Sequence, residues 1–243
     1  MSEAIIVRNL GRLDYAAAVT YQEELLRGNV SLKQLAREQA IDPRDSGTKH
    51  YLLFVEHPPV LTLGKSGNIG NLLVSEERLK HFGVSFYRTN RGGDITYHGP
   101  GQVVGYPILD LEKFDTDIGH YLRNIEQAII LTLADYNILA GRSPGETGVW
   151  LDAGNPGKAR KICAIGIRCS RWVTMHGFAL NVNTDLRYFD YIIPCGIQNK
   201  QVTSMQKELG KPVDAVEVMD RLKIHFAEVF GAVIVEAEEH EAA

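Results

Sequence analysis

Cysteine is scarce in this chain, with Cys163, Cys169 and Cys195 the three present among 243 residues. An odd count with no Cys-x-x-Cys spacing excludes a disulfide scaffold and gives no thiolate zinc motif. The eight histidines fall in no His-x-x-x-His or His-Glu-x-x-His pattern, so no metal is expected. Long apolar runs are missing too: nothing approaches the roughly 18 residues of a membrane span. The opening Met1-Ser2-Glu3-Ala4-Ile5-Ile6-Val7-Arg8 carries an acid ahead of one short apolar run, which is not the layout of a signal peptide. The expectation is a cytoplasmic protein without a membrane partner. Neither sign of charge dominates, and a formal charge of -4 argues against a nucleic-acid partner. Phosphate-cradling motifs are absent, since no Gly-Lys-Ser/Thr occurs and no Gly-x-Gly-x-x-Gly joins a strand to a helix.

What is present is an ordinary globular composition, 44% hydrophobic and 23% charged. Periodicity predicts a strand at 5–7 and a helix from Asp14 with Tyr15, Val19, Gln22 and Leu26 at helical spacing. A second, separate short helix is expected at 31–40. Extended segments follow at 51–55 and 60–63, then a helix opened by Ser75 and stopped by Gly83, and strands at 84–87 and 103–109. The longest helical pattern covers 117–137. Beyond a short strand at 149–151, the runs 162–169 and 172–182 read as a hairpin joined at Ser170-Arg171. Asp214 with Glu217 opens a last helix to Phe230, ahead of a strand at 233–235. Strands arrive partly as hairpins and partly between helices. The fold expected is therefore α+β, a mixed and largely antiparallel sheet packed by helices, in one domain over 1–235 with an acidic, disordered tail at 236–243.

Three features carry chemistry. Arg91-Gly92-Gly93-Asp94-Ile95-Thr96-Tyr97-His98-Gly99-Pro100-Gly101-Gln102 combines glycines, which let backbone N–H groups approach a ligand, with side-chain donors. It reads as a pocket wall or as a bent strand whose glycines relieve crowding. Cys195 stands between Pro194 and Gly196 after an apolar run, a placement that suits a nucleophile or a small buried hydrophobe. Cys163 and Cys169 fit the buried reading. A thiol with an ordinary pKa of about 8.5 needs a base or cation beside it to react at neutral pH. Lys161 is one candidate, leading into a strand in which Lys161, Cys163 and Ile165 alternate with Ile162, Ala164 and Gly166. His98 and His176 are the competing bases, and a Cys/His pair would point to a hydrolase.

That glycine-rich segment is followed by Lys161-Ile162-Cys163-Ala164-Ile165-Gly166, His176-Gly177-Phe178-Ala179-Leu180-Asn181-Val182-Asn183 and Pro194-Cys195-Gly196. Glu56-His57-Pro58-Pro59-Val60-Leu61-Thr62-Leu63-Gly64 precedes them. In this order, over about residues 51–205, the chain resembles the lipoyl(octanoyl) transferases. The resemblance implies octanoyl transfer from acyl carrier protein to a lysine of lipoyl domains in 2-oxoacid dehydrogenases and in the glycine cleavage H protein, with no cofactor. It implies Cys195 as the acyl-thioester nucleophile and Lys161 as the lysine that activates that thiol and serves as acid and base. The implied acyl-binding residues are Arg91, Gly92, Gly93, Asp94, Ile95, Thr96, Tyr97 and His98, then Ala164, Ile165 and Gly166, then Gly177, Phe178 and Ala179. The implied fold is that of biotin and lipoate ligase catalytic domains. Asp94 departs from the pattern, standing where many members have glutamine, and 28–48 and 152–159 are longer than in compact members.

On this reading the acyl chain binds by its methylenes, each contributing about 0.8 kcal/mol, with Leu72, Leu73, Ile165 and Phe178 as tunnel candidates. Lys158, Arg160, Arg168 and Arg171 are candidates for a cationic patch that docks acidic partners. Backbone N–H groups near Cys195 or at Gly92-Gly93 are the candidate oxyanion donors. The competing readings are a Cys/His thioesterase, an ATP-dependent lipoate or biotin ligase, and a non-catalytic acyl-carrier binding module.

Overall fold

The computed structural model describes residues 2–155, 157–193 and 201–237. Strand β1 (Ala4–Arg12) leads into helix α1 (Tyr15–Glu38), where the Asp14 side chain caps the first turn by accepting from the Ala16 N–H. The two helices expected before residue 40 are one. A glycine inside a helix costs about 1 kcal/mol, yet α1 runs through Gly28 because a single buried stripe crosses it: Tyr15, Ala18, Gln22, Leu26, Asn29, Lys33 and Ala36. The polar members of that stripe have long-range partners. Asn29 exchanges hydrogen bonds with the Lys49 backbone at 2.7 and 3.0 Å, and Lys33 is ion-paired to buried Asp110 and to Glu112.

The remaining elements are β2 (His50–Glu56), β3 (Val60–Leu63), α2 (Glu76–His81), β4 (Ser85–Arg88), β5 (Ile95–His98), β6 (Gln102–Ile108), α3 (Ile118–Asp135), β7 (Val149–Leu151), β8 (Arg160–Ser170), β9 (Val173–Asn181), β10 (Gln201–Val202), α4 (Met205–Leu209), α5 (Ala215–Phe230) and β11 (Val233–Glu236). The main sheet has the order β10-β8-β9-β6-β2-β1-β11, with β7 on β8, and a smaller sheet has the order β4-β3-β5. The centre, β2-β6-β9-β8-β7, is antiparallel, while β1, β10 and β11 join in parallel. This is the α+β, largely antiparallel fold expected. The β8–β9 hairpin turns at Arg171-Trp172, one residue later than expected. Both have positive φ (51° and 64°), the conformation whose twist suits a two-residue hairpin. Strand β11 includes Glu236, which the sequence reading gave to the tail.

Helices α3 and α5 cover one face of the main sheet, packing Ile125, Ile129, Leu222 and Phe226 with Ile162, Cys163, Phe178 and Leu180. Helix α1 covers the other, over Leu53, Val104, Tyr106, Met175 and Ala179. Among the described residues no helix is long and apolar enough to cross a membrane.

Candidate active site

Lys161 reaches its position through a β-bulge. Val149 pairs with Cys163 and Trp150 with Lys161, so one step along β7 matches two along β8, and Ile162 is the extra residue. Ile162 and Cys163, adjacent in sequence, consequently both pack in the α3/α5 core. Strict alternation would have sent Lys161 to that same core. The bulge sends it to the face of Ala164 and Gly166, which corrects the expected grouping of Lys161 with Cys163 and Ile165. There Lys161 is 9% exposed, its Nζ 4.6 Å from the centre of the Trp150 ring, in cation–π contact. Its carbonyl accepts from the Thr203 N–H at 2.9 Å, and Val202 pairs beside it. A side chain at Gly148 would come within 3.4 Å of Lys161 Cε and 2.7 Å of the Cys163 carbonyl oxygen, so that position is closed to any other residue.

Lys161 borders a cavity of about 460 Å³. Its floor is two cross-strand pairs of the smallest side chains, Ala164 opposite Ala179 and Gly166 opposite Gly177. Arg91 stands over the floor, its guanidinium donating to the Thr62 carbonyl (2.7 Å), Thr62 Oγ1 (2.8 Å) and the Gly92 carbonyl (2.9 Å). A Cβ on Gly166 would lie 2.8 Å from the Gly92 oxygen and 3.3 Å from the Arg91 side chain, so glycine is what lets this segment lie on the sheet.

The histidines at the cavity are neutral. Gln102 donates to Asn181 Oδ1 (2.9 Å) and to the Tyr97 carbonyl (3.2 Å), which leaves its oxygen to accept from His98 Nδ1 at 2.9 Å. His98 Nε2 faces the Thr62 hydroxyl at 3.5 Å. Burial, then the neighbouring His57 and Arg91, holds His98 well below the usual imidazole range. His176, with φ of 57°, donates its backbone N–H to Gln22 Oε1 (2.8 Å) and bonds Asn90 Oδ1 through Nε2 (2.8 Å). Burial and the positive charge of Arg91 and Arg168 push it down to about 3. An imidazole so depressed is a weak base. Burial raises the thiols of Cys163 and Cys169, so neither forms a thiolate readily, in line with their buried reading.

The cavity brings together Lys161, Arg91, Gly93, Asp94, Ile95, Thr96, His98, Ala164, Ile165, Gly166, Gly177, Phe178 and Ala179. Gly92 and Tyr97 are not part of its lining: Tyr97 turns into the core of the small sheet, stacked on Tyr188 at 4.7 Å. The Gly92 N–H is bonded to the Ile167 carbonyl at 2.8 Å and is not available as an oxyanion donor. Cys195 lies outside the described residues. Asp94 organises the neighbouring loop, accepting from the backbone N–H groups of Asn68 (3.1 Å) and Ile95 (2.7 Å) and from the Asn71 side chain. The tunnel candidates divide, since Ile165 and Phe178 line the cavity whereas Leu73 is exposed and Leu72 packs with the small sheet. The four expected patch cations form no patch. Arg160 and Arg168 stand eight strand residues apart, about 26 Å at 3.3 Å per residue, and Arg160 is committed to Glu208 (2.6 Å) and Asp152.

Sequence reasoning missed Trp150, which reads as core, and Glu126, which reads as a polar helix position. Buried Glu126 accepts from Gly148 N–H (3.0 Å) and Arg142 Nε (3.0 Å), fixing the loop that brings Gly145, Glu146 and Thr147 to the cavity. The buried carboxylate is visible in sequence only as an acid among α3's apolar positions. Tyr15, Tyr106 and Asn181 also line the cavity unannounced.

The small floor leaves room for a slender ligand, and the buried lysine sets an amine beside that space. The family model of the lipoyl protein ligase A/B catalytic domain matches residues 14–227. The octanoyltransferase of Christiangramia forsetii is 58% identical over 233 residues, 96% of this chain and 98% of its own. That of Flavobacterium psychrophilum is 57% identical over 237 residues, 97% of this chain and 100% of its own. Two solved structures share the fold. A bipartite lipoate protein ligase of Thermoplasma acidophilum has a TM-score of 0.68 at 18% identity, covering 99% of this chain and 88% of that one. A lipoate-protein ligase A bound with ATP has a TM-score of 0.68 at 16% identity, covering 99% and 90%. The chain belongs to the lipoyl protein ligase A/B catalytic domain family, on its lipoyl(octanoyl) transferase branch, and is an acyltransferase.

Proposed function

We propose that the protein moves an octanoyl group from acyl carrier protein to the acceptor lysine of lipoyl domains, including those of 2-oxoacid dehydrogenases and the glycine cleavage H protein. The intermediate is a thioester on Cys195, and the reaction runs in the cytoplasm without a cofactor. The observation that carries this reading is the buried Lys161 amine, displaced by the Ile162 bulge into the small-floored cavity. Cys195 precedes by a short stretch the strand β10 that pairs with Lys161.

Lys161 takes the proton of the Cys195 thiol. The thiolate attacks the thioester carbonyl carbon, the carbon–sulfur bond to the carrier breaks, and the proton on Lys161 passes to the leaving carrier sulfur, so the carrier departs as its thiol and Lys161 is a neutral amine again. In the second half the acceptor amine attacks the acyl-enzyme carbonyl, an amide forms, and the bond to Cys195 sulfur breaks. Lys161 removes the amine's proton and Cys195 returns to its thiol. Burial of the octanoyl methylenes at about 0.8 kcal/mol each supplies the binding energy.

The test is transfer from octanoyl carrier to an unmodified lipoyl domain with ATP omitted. The domain gains one octanoyl group, and Cys195→Ser lowers the rate at least about a hundredfold. A strict requirement for ATP with free octanoate, or full activity of the serine variant, would contradict the proposal.

A further inference from the structure

The strand register gives the cavity two ends. Lys161, Asn181 and the loop of Gly145, Glu146 and Thr147 stand at the first. On the same face of the sheet, β6 runs from Gln102, paired with Asn181, through Val104 to Tyr106, one step past the Gly105–Phe178 pair. Four residues of strand separate Gln102 from Tyr106, about 13 Å, which is the scale of a medium-length acyl chain. The floor between them is Ala179, Gly177, Ala164 and Gly166, and no side chain larger than a methyl rises from those positions. Side chains return at Tyr106 and at Tyr15 from α1, both buried and both on the cavity lining, with His176 6.5 Å from the Tyr106 ring.

The polar ends of both tyrosines are turned away. The Tyr15 hydroxyl donates to Thr89 Oγ1 at 3.1 Å. His57 Nδ1 lies 2.7 Å from the Leu13 carbonyl and carries the proton, so Nε2 accepts from the Tyr106 hydroxyl at 2.7 Å. Tyr15 is fixed further by ring contacts with His57 (5.5 Å), Tyr87 (5.5 Å) and His98 (6.0 Å). Each ring therefore offers carbon to the slot, and neither swings aside without leaving a buried donor unmade.

We propose that Tyr15 and Tyr106 are the specificity-determining residues for acyl length, the wall against which the terminal methyl of an octanoyl chain abuts and which a decanoyl chain overruns. The identity of the chain rests on the transferase reading; the position of the wall rests on the residues above.

The experiment measures binding of non-transferable alkyl-thioether pantetheines, hexyl to dodecyl, by calorimetry, alongside transfer from the matching acyl carriers. The wild type favours the octyl member. Tyr15→Leu and Tyr106→Leu each raise decyl over octyl by at least about tenfold, in binding and in transfer. Ala179→Leu, which fills the slot from its floor, shifts preference toward hexyl. Folded leucine variants that bind octyl as the wild type does and keep its length profile would overturn the wall while leaving the transferase reading standing. Wild-type protein that binds no member would overturn both. Should a tyrosine variant fail to fold, an unchanged profile in Ala179→Leu overturns the proposal equally.

Discussion

Strands β8 and β9 carry two unlike surfaces on their two faces. Toward α3 and α5 they present Cys163, Ile165, Ile167, Phe178 and Leu180, apolar groups packed in or against that core, of which Ile165 and Phe178 also reach the cavity lining. Toward α1 they present Ala164, Gly166, Gly177 and Ala179, and the volume those residues leave is the cavity. The same backbone thus builds a packed core on one face and most of the cavity floor on the other. Lys161 belongs to the cavity face only because Ile162 is an inserted residue in the ladder.

The comparison can be broken most sharply at that lysine. Lys161→Ala removes the proposed acid/base group while deleting no part of the filled core, so transfer falls about 10²- to 10⁴-fold while the melting temperature stays within a few degrees, read by steady-state rates and calorimetry. Phe226→Ala does the reverse. Its ring is fully buried and stacked on Phe230 at 4.5 Å, so truncation costs about 3–5 kcal/mol in denaturant unfolding, while the acyl-length profile of the folded fraction stays unchanged. A change of length preference in Phe226→Ala would show that the two faces are not independent.

Acid sharpens the contrast. His57, His98 and His176 lie at the cavity side with folded pKa values below the unfolded value near 6.5, all chiefly through burial. The unfolded chain binds more protons than the folded one below about pH 6.5, so stability is fully present above that pH and is lost as pH falls toward the folded values, about 3 for His176. Each contributes a slope of up to about 1.4 kcal/mol per pH unit. Denaturant melts from pH 7 to 4 should show this loss, diminished in His176→Gln; a flat profile over that range would contradict neutral buried imidazoles. The smallest effect concerns α1, which shields the cavity face. Gly28 has open space at its Cβ position, so Gly28→Ala should stabilise by about 0.5–1 kcal/mol in thermal unfolding and leave transfer unchanged.

Most strands and helices were legible because their apolar residues repeat locally, as in β2, β6, α3 and α5. Where a partner far along the chain decides the outcome, sequence pattern fails for a definite reason. Asn29 and Lys33 look like a polar break in α1 until Lys49 and Asp110 arrive to pair with them. Lys161 was legible as a candidate, but its face was not, because the bulge at Ile162 is set by the register of β7. Proximity in sequence misled for Arg160 and Arg168, since an extended strand holds them apart. Tyr15 was legible only as a helix-face residue and Tyr106 only as part of the strand at 103–109; they become cavity lining when the small residues of β8 and β9 leave space beside them.

The central claim is that the Lys161 amine activates Cys195 for acyl capture. Intact-protein and peptide mass spectrometry after mixing with octanoyl carrier, acceptor omitted, tests it most directly. The account predicts one octanoyl group on Cys195, formed at least about a hundredfold more slowly in Lys161→Ala and discharged on adding lipoyl domain. An octanoyl group on another residue, or equal rates of capture with and without Lys161, would contradict it.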